Sequence, residues 1–159
     1  MNDRNRHMTL IIFSNDMDKA MAAFILATGA ASSGMKVTMY FTFWGLSLLR
    51  MNKPDTKKGL IERMFGWMLP RGPHDTKLSK MNFAGIGTAM MHRVMKSKKM
   101  PQLHELMDMA DTLGVEIVAC TTSMSMMGIS REELRDNIEV GGVATYLGNA
   151  VDANVNLFI

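Results

Sequence analysis

The first forty residues restrict the fold more than any other stretch of the chain. Met8 to Ser14 (Met-Thr-Leu-Ile-Ile-Phe-Ser) is an apolar, β-branched run of strand length. Asn15 to Asp18 supplies turn residues and a cap, and residues 17–32 carry Ala, Met, Leu and Ile at helical spacing up to a stop at Gly34. Met35 to Thr42 is a second apolar run. A strand, a helix and a strand with connections this short form a right-handed βαβ unit, and its two strands must be parallel.

The rest of the chain continues the alternation. Phe43 to Leu49 can start a helix, which Asn52 to Asp55 interrupts, and Lys57 to Leu69 is amphipathic up to Pro70-Arg71-Gly72-Pro73. Residues 70–84 are expected as a long loop. Gly85 to Lys99 has helical spacing. Pro101 suits the first turn of a further helix ending at Leu113, with Gly114 as its stop. Val115 to Cys120 is a buried-strand run, and Ser130-Arg131-Glu132-Glu133 matches a capping box. Ile138 to Val140 is a short strand, Gly141-Gly142 a turn into a helix from Val143 to Asp152, and Val155 to Ile159 a last strand. These five strands and their helices predict an α/β, flavodoxin-like, doubly wound and mostly parallel five-stranded sheet. With a flavodoxin-like order 2-1-3-4-5, Met8–Ser14 would lie beside Val115–Cys120 at the centre, and the crevice would open between their carboxyl ends.

At 159 residues, one domain is expected over 8–159, with a polar tail at 1–7 and a Met-rich helical insertion around 50–113. No run of 18 apolar residues is present, so no spanning helix is expected, and the polar start lacks the apolar stretch of a secretory signal. Residues 50–99 carry 12 Lys/Arg against 3 Asp/Glu, and residues 100–159 carry 2 against 9. Such halves attract opposite charge and suit self-association. Nucleic acid is not expected as a partner, because the basic stretch carries no recognition motif and no aromatic stacking set.

The chain has a single cysteine, which removes an intrachain disulfide, a Cys-x-x-Cys pair and any zinc site built from several cysteines of one chain. This usage fits a reducing, cytoplasmic compartment. Cys120 ends its strand and is followed by Thr121-Thr122-Ser123, so the thiol is expected where a strand hands over to a loop or to a helix beginning near Ser123. Those hydroxyls and that helix start would favour a thiolate. Free cysteines also simply pack, and position alone leaves both readings open.

The second anomaly is 19 methionines, 10 of them between residues 51 and 109. Thioethers suit irregular cores and adaptable contacts, so a homo-oligomer with residues from 60–95 at an interface is expected. Soft-metal binding is the alternative, with Cys120, Met124, Met126 and Met127 as the obvious Cu(I) ligands. Ile61 to Leu69 permits peripheral membrane contact but is too short and mixed to anchor alone. The four histidines form no spaced zinc pair, and no Gly-x-Gly-x-x-Gly follows the first strand, so no cofactor and no metal are expected.

The strand ending at Cys120, then Ser123-Met124-Ser125-Met126-Met127-Gly128-Ile129, Arg131-Glu132-Glu133-Leu134, and Gly141-Gly142-Val143-Ala144-Thr145-Tyr146-Leu147 resemble the DsrE/DsrF/DsrH-like proteins, and among them the DsrE2-like branch. The resemblance spans about residues 8–159. It implies a flavodoxin-like α/β domain, homo-oligomers, and work as a sulfur carrier or sulfurtransferase. A cysteine then holds sulfane sulfur as a persulfide between partner proteins, such as rhodanese-like or TusA-like carriers. By motif match, only Cys120 inherits that role. The alternatives are a soft-metal or redox-sensing protein using the same thiol, and a non-catalytic oligomeric binding module.

Overall fold

In a computed structural model, residues 6–51 and 59–159 are described. The break expected at Asn52 to Asp55, the helix start at Lys57 and the first five residues of the tail lie outside them. The five strands are β1 (His7–Ile12), β2 (Lys36–Phe41), β3 (Glu116–Cys120), β4 (Glu139–Gly141) and β5 (Val155–Phe158). The α-helices among the described residues are α1 (Met17–Ser32), α2 (Leu60–Met68), α3 (Ile86–Ser97), α4 (Leu103–Thr112), α5 (Thr121–Met127) and α6 (Val143–Val151). Four 3-10 turns, at Phe43–Leu49, Pro73–Asp75, Phe83–Gly85 and Arg131–Glu133, complete the described elements.

All five strands are parallel in one sheet, with helices on both sides. The strand order is 4-3-2-1-5, which corrects the expected 2-1-3-4-5. β1 pairs with β2 and β5, and β2 separates it from β3. The reason is helix packing. α4 lies against α1, so the β2-to-β3 connection steps the sheet onward in the direction set by β1-to-β2. Three right-handed crossovers in one direction put their helices on one face. The return from β4 to β5 runs backwards and puts α6 on the other. The reversal of direction therefore lies between β1 and β5, and Cys120 is not at the switch point.

The principal core fills the α1/α4 side. Leu10, Ile12, Phe24, Met39, Phe41 and Met107 are wholly buried there. Gly34 (φ +81°) and Gly114 (φ +73°) end α1 and α4 in the left-handed conformation that a Cβ disfavours. Pro101 precedes the α4 cap rather than entering the first turn. Gln102 takes the N-cap position, forming a reciprocal capping box with Glu105. The box at Ser130 and Glu133 also forms, but it opens only a 3-10 turn.

Two local features fix the middle of the chain. Arg50 and Glu133 form a buried ion pair (Nη2–Oε2 2.7 Å), and Arg50 also donates to the carbonyls of Gly66, Leu69 and Pro70. That arginine ties the end of α2 to the segment after α5. Residues 70–84, expected as loop, contain a second unusual element. Met81, Phe83 and Ala84 all have positive φ (56°, 42° and 55°) in a turn that precedes α3.

Candidate functional site

Cys120 is the last residue of β3, and α5 starts at the very next position, so strand passes to helix with no loop between. Side chains alternate along β3. Ile117 and Ala119 enter the principal core, while Val118 and Cys120 point to the α6 side. There Cys120 packs with Tyr40 and Val118, and Tyr146 of α6 lies against the group. Cys120 is buried, 4% exposed as a residue.

The parallel register explains its neighbours. Phe41 pairs with Ala119, so Thr42 comes level with Cys120, and Tyr40 and Thr42 share a face two residues apart. On the other side Cys120 pairs with Gly141. The Tyr40 hydroxyl donates to the Gly141 carbonyl oxygen at 3.4 Å, and the Tyr40 and Tyr146 rings are 5.2 Å apart. Thr42 and Ser123 share a hydrogen bond of 2.7 Å between their hydroxyls.

Burial pushes the Cys120 thiol up, as for any anion removed from water. Interactions with the Ser123 hydroxyl, the Tyr40 hydroxyl, the Ser123 N–H and the Thr42 hydroxyl outweigh it and bring the thiol down to about 7. Tyr40 moves the other way. Burial, then its hydrogen bond to Cys120 and the charge there, raise its phenol, so it stays a protonated donor. The site thus holds a thiol poised near neutrality beside a tyrosine that keeps its proton.

Of the three hydroxyls expected around the sulfur, Ser123 reaches it. Thr121 and Thr122 are exposed. The first loop, at Ser14 to Asp16, does not join the site, because β2 intervenes. Tyr40 and Thr42 are additions that sequence reasoning missed. The signal was present as two polar side chains at alternate positions near the end of an apolar strand, but it needed the correct strand order. The methionines proposed as soft-metal ligands are not gathered. Met124 and Met127 are buried in the principal core, Met126 is 67% exposed, and Cys120 is on the opposite face of the sheet.

Comparison with known proteins agrees with this architecture. The chain is 47% identical over 160 residues to the uncharacterized protein YrkE of Bacillus subtilis, covering all of both chains. It is 29% identical to the sulfur carrier protein DsrE2 of Allochromatium vinosum, covering 97% of this chain and 98% of that one. The crystal structure of the ychN protein from E. coli superposes with a TM-score of 0.53 at 10% identity, covering 96% and 99% of the two chains, which shows a shared fold. The DsrE/DsrF/DrsH-like family matches residues 4–158, nearly the whole chain. With its parallel sheet and its likeness to a sulfur carrier over full length, the chain belongs to the DsrE/DsrF/DrsH-like family.

Proposed function

We propose that this protein is a sulfur carrier, or sulfurtransferase, that accepts and passes sulfane sulfur as a persulfide on Cys120. The observation that carries the reading is the thiol's setting. Donors from β2 and α5 converge on one sulfur and hold it near neutrality, where an ordinary buried cysteine would be pushed up. The family and the 29% identical sulfur carrier support a sulfur-relay role at family level. The chemistry needs no second cysteine and no cofactor. The Cys120 thiolate attacks the outer sulfur of a donor persulfide, R–S–SH. A sulfur–sulfur bond forms on Cys120, the donor's own sulfur–sulfur bond breaks, and its thiolate leaves and takes up a proton. Delivery runs the same exchange toward an acceptor thiolate, with no net oxidation or reduction. The donor and acceptor are persulfide carriers of rhodanese-like or TusA-like type, the compartment is a reducing cytoplasm, and the working form is a homo-oligomer.

The 4% exposure of Cys120 favours a second reading, a packing cysteine in a non-catalytic module. One experiment separates the two. Incubated with a persulfide donor, the wild type should gain the mass of one or more sulfur atoms. Dithiothreitol should remove them, and Cys120→Ser should take up none while keeping its circular dichroism. A protein that gains no sulfur from several donors, with a thiol unreactive until unfolding, is a packing module.

A further inference from the structure

The turn before α3 spends backbone energy to place large apolar side chains in water. Met81, Phe83 and Ala84 all sit in the left-handed region, which residues with a Cβ avoid unless their surroundings force it. The surroundings do force it. Asn82 Oδ1 accepts from the Thr88 hydroxyl at 2.8 Å, the Thr88 oxygen accepts from Leu78 N–H at 3.0 Å, and Asn82 O accepts from Gly87 N–H at 3.0 Å. Gly87 is required, since a Cβ there would collide with the Met81 carbonyl oxygen. The result is a braced turn with Met81 74% and Phe83 69% exposed. Burial does not repay the strain, and strain held in this way marks function.

Both side chains border an apolar groove of about 580 Å³ along α3, between them and Ile86, Met90 and Val94. The groove lies in a strongly cationic stretch. From Thr76 to His104 there is no Asp or Glu, and Lys77, Lys80, Arg93, Lys96, Lys98 and Lys99 are all exposed. None of the six is ion-paired among the described residues. Of the acidic side chains, Asp108, Asp111, Glu116 and Glu133 are already paired within their own chain. The complement is a surface that is anionic outside and apolar within. We propose that this face docks the protein on an anionic lipid bilayer, with Met81 and Phe83 inserted at the headgroup boundary and α3 lying in the interface. This docking is independent of the sulfur chemistry at Cys120 and leaves that site on the body of the sheet.

The test is cosedimentation of the full chain with vesicles of phosphatidylglycerol and phosphatidylcholine, against vesicles of phosphatidylcholine alone. Binding is expected to the anionic vesicles only, and to be lost in about 0.5 M salt, where charges are screened. Met81→Asp with Phe83→Asp should abolish it. Lys96→Glu with Lys98→Glu and Lys99→Glu, which leaves the turn untouched, should weaken it at least about tenfold. Absence of wild-type binding to anionic vesicles at low salt overturns the proposal, as does equal binding by either variant in its folded form. So does self-association of the wild type that Met81→Asp with Phe83→Asp removes, because the face would then seat a second copy.

Discussion

The Tyr40 hydroxyl has one proton and two acceptors, the Cys120 sulfur on β3 and the Gly141 carbonyl oxygen 3.4 Å away on β4. With Cys120 as a neutral thiol, the proton can go to the carbonyl. With Cys120 as a thiolate, it is drawn to the sulfur, because a hydrogen bond to an anion is the stronger of the two. The tyrosine thereby follows the charge on the cysteine.

The rate of Cys120 alkylation by iodoacetamide should rise with pH around a midpoint near 7. Tyr40→Phe removes a donor to the anion and leaves burial in place, so the midpoint should move up. At pH 7 the reaction should slow on the order of tenfold. Ser123→Ala should act in the same direction. Ultraviolet absorbance of the thiolate checks the same titration without alkylation. An unmoved midpoint in both variants removes Tyr40 and Ser123 from the site.

The same titration has a consequence for stability. The folded thiol titrates below its ordinary 9.0, so the unfolded chain holds the proton more tightly between about 7 and 9. Stability from this group should be fully present above 9 and lost as pH falls through 7. Urea midpoints of wild type and Cys120→Ser should therefore diverge between pH 7 and pH 9, with the wild type gaining. Parallel curves would contradict the lowered titration.

Tyr146 is the side chain of α6 that packs over the group formed by Tyr40, Val118 and Cys120. Tyr146→Ala should speed alkylation at fixed pH by on the order of tenfold, because less of the structure must open. An unchanged rate would show that the reagent enters by another route.

Arg50 and Glu133 are both buried, and loss of Glu133 takes away the carboxylate that faces the buried Arg50 guanidinium. Glu133→Ala should lower unfolding free energy by about 3–5 kcal/mol, measured in urea. Loss of less than about 1 kcal/mol, the value of a surface pair, would mean that water reaches the arginine.

α2 exposes Leu60, Met64, Trp67 and Met68, which gives the expected homo-oligomer a surface within residues 60–95. Light scattering at micromolar concentration should give a mass above 17.7 kDa, and Trp67→Asp should reduce it. A wild-type monomer under those conditions sinks the expectation.

The elements themselves were legible because their signals are local. Apolar runs end near Ile12, Phe41 and Cys120, and glycines sit where helices must stop, as at Gly34 and Gly114. The cysteine's place at a strand end followed from the same run. Strand order was not legible, since every βαβ unit has the same handedness whichever side its next strand joins. Packing of α4 on α1 made that choice, and it set β2 rather than β1 beside Cys120. From that contact between distant segments came the neighbours of the sulfur. Tyr40 and Thr42 lie about 80 residues from Cys120 in sequence, and only a parallel register brings their hydroxyls level with it. The sequence alone determined which atom would hold sulfur under the proposed function, because it contains one thiol. The tertiary structure decided how acidic that thiol is, because burial and three borrowed hydroxyls exist only once the sheet is assembled.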